Sequence, residues 1–131
     1  MNFRHTTRGL HLLAELYGCS IPAISDVEKV RQTLVEAAKA AGSQPAYEHF
    51  MHLKPGVTGV VVVTDSHLSV HTWPETGYVS LDVYMCDPTC RPDVSLSIVC
   101  GVFKPAFKQV MLVERGVKGH LRLLKEPEVQ V

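Results

Sequence analysis

Along this chain the spacing of apolar residues switches between a period of two and a period near 3.6, and each switch predicts a change of element. From Gly9 to Tyr17, Leu10, Leu12, Ala14 and Leu16 alternate with His11, Leu13, Glu15 and Tyr17, which predicts a first strand. Ser25 with Glu28 reads as a capping box, and Val27, Val30, Leu34, Ala37, Ala38 and Ala41 then recur at helical spacing as far as Gly42. Between Ala46 and Tyr84 come β-rich stretches, among them Val57 to Thr64, His67 to Trp73 and Gly77 to Met85, separated by short or Gly/Pro-containing breaks. They predict an antiparallel sheet. In the last stretch Val79, Leu81, Val83 and Met85 alternate with Tyr78, Ser80, Asp82 and Tyr84, so one face suits a core and the other can line a site. Pro92 opens a second helix, with Val94, Ile98, Val99 and Val102 on its apolar side and Pro105 stopping it. Lys108 to Glu114 predicts a closing strand, and the pattern after Gly116 is less regular. Helices separated by runs of strands favour an α+β fold, a two-layer sandwich in which two helices cover a mainly antiparallel sheet, over a doubly wound parallel sheet.

Length and charge narrow the picture. At 131 residues, a division into two domains would leave each half too small a core, so residues 1–131 are expected to form one domain. Thirteen basic residues balance thirteen acidic ones, which is unlike the basic footprint of a nucleic-acid binder. The first residues carry no apolar leader and no apolar run approaches membrane-spanning length, so a cytoplasmic protein without membrane contact is expected. In that compartment Cys19, Cys86, Cys90 and Cys100 are expected to be free thiols.

Candidate chemistry concentrates where the apolar run from Gly59 meets Asp65-Ser-His-Leu-Ser-Val-His-Thr-Trp-Pro-Glu75. If His67 to Trp73 is extended, His67, Ser69 and His71 project to one face and Leu68 and Val70 to the other. Taken alone, this pattern fits a surface strand with solvated histidines as well as a site in which two imidazoles flank a hydroxyl. Cys86, Cys90 and Cys100 near histidines raise the question of zinc, but a Cys-x3-Cys spacing without a second close pair matches structural zinc poorly, and no metal is expected. Glu15 and Glu75 are open to two readings, as paired carboxylates for acid/base work or as solvated or structural residues.

The segment from Asp65 to Glu75 resembles, nearly residue for residue, the self-cleavage segment of the prokaryotic S-adenosylmethionine decarboxylases. The resemblance extends to Gly9-Leu-His-Leu-Leu-Ala-Glu-Leu-Tyr-Gly-Cys19, Gly56-Val-Thr-Gly59, Cys86 and Glu114-Arg-Gly116. It implies an α/β sandwich protomer that pairs into a homodimer of processed chains with active sites at the interface. It also implies cleavage between Asp65 and Ser66, giving chains 1–65 and 66–131, and conversion of Ser66 into a pyruvoyl group that forms a Schiff base with a small-molecule substrate. No external cofactor is then needed. In chemical terms, the Ser66 hydroxyl attacks the Asp65 carbonyl and exchanges the amide for an ester. Removal of the Ser66 α-proton eliminates that ester, and hydrolysis of the resulting dehydroalanine leaves the pyruvoyl ketone. The resemblance assigns the base to His71, the proton donor in turnover to Cys86, and a substrate contact to Glu75. It implies decarboxylation of S-adenosylmethionine for spermidine synthesis.

Departures from the family pattern bear on processing and substrate. Asp65 stands where most relatives have glutamate, and Thr58 where they have a serine that assists processing. Both keep the functional group, Thr58 being stiffer at its first torsion. With one residue deleted before Gly56, Leu53 falls where the pattern has an adenine-stacking phenylalanine, and Thr76 replaces a frequent tyrosine. An L-ornithine or L-arginine decarboxylase with the same chemistry is therefore the alternative, and an inactive partner subunit a third. A basic amino acid would need a carboxylate for its terminal cation, with Asp65, Glu15, Glu75 and Asp82 as sources.

Overall fold

The computed structural model describes residues 7–64 and 66–130. The elements run β1 (Gly9–Tyr17), α1 (Ile21–Ser25), α2 (Val27–Ala40), β2 (Pro45–His52), β3 (Val57–Val63), β4 (Ser66–Trp73), β5 (Tyr78–Met85), α3 (Pro92–Phe103), β6 (Phe107–Val117) and β7 (His120–Gln130). All pairings are antiparallel, in the order β2-β3-β4-β5-β1-β6-β7. The expected two-layer α+β sandwich is therefore what forms, with β1 inserted between strands that come late in the chain.

The helix layer covers one face only. Leu12, Ala14 and Leu16 of β1, Leu68 and Val70 of β4, and Val79, Leu81 and Val83 of β5 are buried against Val30, Leu34, Ala37 and Ala38 of α2 and Val99 and Phe103 of α3. Full burial of one such leucine or phenylalanine stabilises by about 1.5–3 kcal/mol, so the period-two and period-3.6 stripes are the main reason these elements meet. Two buried hydroxyls lock the layers. Thr72 donates to the Ile24 carbonyl at 2.8 Å while accepting from the Val57 amide at 2.9 Å, and Ser95 of α3 donates to the Ala37 carbonyl of α2 at 2.7 Å. Opposite Phe50 in the register stands Gly59, and a Cβ there would fall 1.9 Å from the Phe50 ring, so this strand position accepts only glycine.

Three local expectations are corrected. The cap of α2 is Asp26, whose carboxylate accepts from the Glu28 and Lys29 amides at 3.0 and 3.2 Å, so Ser25 and Glu28 do not form a capping box. Ser25 instead closes α1, a third helix, and its hydroxyl donates to the Ile21 carbonyl at 2.7 Å. The tail after Gly116 is regular: β6 runs on to Val117 and β7 pairs with it. Its apolar pattern is weak because bulges shift the register at several points along that pair. Among the described residues no helix is long and apolar enough to cross a membrane.

Candidate active site

Thr58, His71, Glu15 and Asp82, singled out in the sequence, lie on the sheet face that the helices leave open. The register stacks open-face side chains in rows across the strands. One row is Thr58, His71, Ser80 and Glu15, from β3, β4, β5 and β1. Within it the Thr58 hydroxyl and His71 Nδ1 are 3.1 Å apart, and the Tyr78 hydroxyl donates to the Glu15 carboxylate. Burial, and then that carboxylate, push the Tyr78 phenol well above its usual range.

A pocket of about 210 Å³ opens at this end, lined by Leu53, Thr58, His71, Trp73 and Glu75 together with the Lys54–Val57 turn. Four residues chosen from sequence thus converge. Leu53 is 58% exposed, and the Glu75 side chain makes no hydrogen bond or ion pair with another described residue. Trp73 was given no role by its motif, yet its ring lies 6.1 Å from the His71 ring and is stacked on Tyr78 at 5.1 Å, which stacks on Tyr17 at 5.1 Å. The period of two in β4 was the signal for it, since it puts Trp73 on the His71 face.

Cys86 lies at the opposite end of this face, and Ser66 begins β4 at that same end, on the Leu68 and Val70 side of the alternation. His67 pairs with Tyr84, which puts Ser66 level with Met85 and Cys86 just beyond the end of β5. Five residues of extended strand separate Ser66 from His71, about 16 Å at 3.3 Å per residue, so one chain does not bring these two side chains together. Asp65, expected on the carbonyl side of the cleaved bond, lies outside the described residues. Cys86 is half-buried in a recess of about 70 Å³ with Arg8, Gly9 and Met85. Cys90 is buried, its Sγ 3.4 Å from the Ser43 hydroxyl, and burial pushes the Cys19 thiol up to about 11. No group of three or more metal-ligating side chains occurs among the described residues.

Between the two ends lies a network that the sequence reading missed. Asp82 is 3.0 Å from His11 Nε2, and Arg115 is 3.3 Å from His11 Nδ1. A guanidinium only donates, so Nδ1 accepts and the Nε2 hydrogen points to Asp82. That hydrogen bond holds the Asp82 carboxyl below its usual range, whereas burial is the main influence pushing His67 down. The alternation in β1 and β5 had put His11 and Asp82 on this face, but nothing local tied them to Arg115, which is more than a hundred residues from His11. A depression of about 420 Å³ adjoins them, lined by Leu13, Glu15, Ser80, Asp82, Gln109 and Met111.

The family model for S-adenosylmethionine decarboxylase matches residues 10–116. The chain belongs to the S-adenosylmethionine decarboxylase family. It is 39% identical over 113 residues to the S-adenosylmethionine decarboxylase proenzyme of Pyrococcus abyssi, covering 86% of this chain and 81% of that one. With the corresponding proenzyme of Moorella thermoacetica it shares 42% identity over 110 residues, 83% of this chain and 88% of the relative. The crystal structure of the adenosylmethionine decarboxylase from Aquifex aeolicus superposes with a TM-score of 0.78 at 36% identity, covering 86% of this chain and 93% of that one. The matched span takes in both ends of β4, so family membership extends over the whole candidate site.

Proposed function

We propose that this chain cleaves itself between Asp65 and Ser66 and, as a homodimer of processed chains, decarboxylates S-adenosylmethionine in the cytoplasm for spermidine synthesis. The observation that carries the reading is the Thr58–His71 pair at 3.1 Å in a pocket that also holds Glu75, on the open face whose other end carries Cys86 beside the start of β4. The separation of the two ends explains the dimer. A second copy laid on the open face about a two-fold axis brings the Thr58–His71 end of one chain to the Ser66–Cys86 end of the other. It also covers Leu13, Tyr17, Val62 and Trp73, exposed apolar side chains that water does not favour.

The residues fit a pyruvoyl group at position 66. Ser66 opens β4 at its last register pair with β3, so a cut before it leaves the pairing from His67 onward intact, and β1 from the first chain stays inserted between β5 and β6 of the second. The cleaved halves therefore stay together. When bound, the group supplies a ketone that condenses with the substrate amine and draws off the electron pair released with carbon dioxide. His71, held through Nδ1 by Thr58, takes the Ser66 α-proton during processing, and Cys86 returns a proton to the substrate α-carbon after carbon dioxide leaves. Glu75 accepts from ribose hydroxyls, while Trp73 and Leu53 form the apolar wall for the purine.

A basic amino acid would need a carboxylate at the far end of the site. Glu15 already accepts from Tyr78 and Asp82 from His11, which leaves Glu75, beside the exposed Leu53 and Trp73, as the open carboxylate of the pocket. Denaturing mass spectrometry of the purified protein is expected to find two chains, and an intact chain would instead support an inactive partner subunit. A panel of S-adenosylmethionine, ornithine, arginine and lysine is expected to release carbon dioxide from the first, and release from ornithine or arginine alone would reject the substrate while keeping the chemistry.

A further inference from the structure

Two motifs noted in the sequence, Gly9 at the start of β1 and Arg115 near the end of β6, have no part in the scheme above, yet they are register partners and meet beside Cys86. Gly9 is where two side chains press against bare backbone. A Cβ built on it would lie 2.9 Å from Tyr84 Cε1 and 3.1 Å from Cys86 Sγ, so the ring edge and the sulfur occupy adjoining positions over the same residue. From the other side the Arg115 guanidinium lies 4.3 Å from the centroid of the Tyr84 ring, close enough for a cation–π contact, while it also donates to His11. The rings of His11 and His67 flank Tyr84 at 5.6 and 5.8 Å. Tyr84 is thereby held on three sides, with its hydroxyl end turned to Cys86.

We infer that Tyr84 and Arg115 are positioning residues for Cys86, Tyr84 hydrogen-bonding its sulfur and Arg115 fixing the Tyr84 ring over Gly9. The inference rests on the reading of Cys86 as the proton donor. In that step the S–H bond breaks, the proton passes to the substrate α-carbon, and the sulfur keeps the electron pair as a thiolate. A thiol gives up its proton more readily when the thiolate it becomes is met by a hydrogen-bond donor. Tyr84 supplies that donor, and Arg115 holds its ring in place. The hydrogen bond with Cys86 is the largest influence raising the Tyr84 phenol, which keeps Tyr84 in its donating form. Tyr84 is also the cross-strand neighbour of His67, next to Ser66, so the arrangement holds the thiol at the end of β4 where the carbonyl is to form.

The test reads the thiol directly, in the full uncleaved Ser66→Ala chain, by iodoacetamide alkylation at neutral pH followed peptide by peptide by mass spectrometry. Replacing Tyr84 with phenylalanine keeps the ring and removes the hydroxyl, and alkylation of Cys86 is expected to slow roughly tenfold, the size of a hydrogen bond to a charged acceptor. Arg115→Gln should slow it by a smaller factor, with the Cys100 rate unchanged in both. Reactive Cys19 or Cys90, both buried, would reveal misfolding in Tyr84→Phe, and Arg115→Gln then decides. In processed enzyme Tyr84→Phe is expected to lower kcat with KM retained. Parent-like Cys86 alkylation in both variants would overturn the inference. Failure of the proton-donor reading would be seen separately, as full turnover in Cys86→Ala.

Discussion

The two faces of the sheet follow different rules. On the helix side, Leu16, Leu68, Val70, Val79 and Val83 are completely buried in the apolar core, so that face is determined mainly by volume and pattern. On the open side the same strands carry His11, Glu15, His67, Ser69, His71, Ser80 and Asp82, polar groups that no folding argument requires. Such residues cost stability in a core and contribute little on a surface, which makes their concentration on one face a statement about chemistry. The covered face accounts for the fold, and the open face carries the candidate site.

The sharpest break between the faces comes from cleavage and turnover. His71→Ala is expected to stall before cleavage, whereas Cys86→Ala should cleave and then turn over about 10²-fold or more slowly, the range typical of a lost proton-transfer group. Neither should shift the melting temperature appreciably. Denaturing mass spectrometry and carbon dioxide release separate the two stages, and full turnover in Cys86→Ala would remove Cys86 from the mechanism.

Phe103, fully buried at the end of α3, is the converse case. Phe103→Ala is expected to cost about 3–5 kcal/mol in denaturant unfolding of an uncleaved Ser66→Ala chain. Its loss belongs to the covered face, and a loss below 1 kcal/mol would show that the core relaxes more freely than its packing indicates.

A smaller effect sharpens the open face. Leu53→Phe adds a ring to the pocket wall and is expected to tighten S-adenosylmethionine up to about tenfold, since a stacked aromatic contributes about 0.5–1.5 kcal/mol beyond its area. The chain has a single tryptophan, Trp73, so fluorescence titration follows the pocket directly. An unchanged titration curve would place the purine elsewhere.

The smallest effect is one of pH. Glu114 is ion-paired with Arg8 and Arg122, and the hydrogen bond from Arg8, more than that from Arg122, holds its carboxyl at about 2, below the ordinary 4.5. A depressed carboxyl stabilises the fold fully above the unfolded value of 4.5 and loses that contribution as pH falls toward 2. Glu114→Gln should flatten this part of the acid-unfolding curve, and an unaltered curve would mean the pair contributes nothing.

Much of the covered face could be read in advance. Strict alternation in β1 and β5 and the stripe from Val27 to Ala41 are local patterns enforced by burial, and the predicted elements follow them closely. The cap of α2 is not legible locally, because Ser25, Asp26 and Glu28 all suit a helix start and only backbone geometry selects among them. β7 escaped notice because its bulges break the period. On the open face, His71 and Cys86 were legible through resemblance and not through pattern. The Thr58–His71 contact follows from strand register, and the join of Gly9, Tyr84 and Arg115 comes from β1 entering the sheet between β5 and β6, an order that no local spacing encodes.

The central claim is that Ser66 of one copy is processed by His71 of the other. Co-expression of differently tagged Ser66→Ala and His71→Ala chains tests it directly, since neither alone is expected to cleave. In the mixed dimer one site combines an intact Ser66 with an intact His71, so the His71→Ala chain is predicted to be cut while the Ser66→Ala chain stays whole. Mixed dimers in which the His71→Ala chain also stays intact would contradict the account.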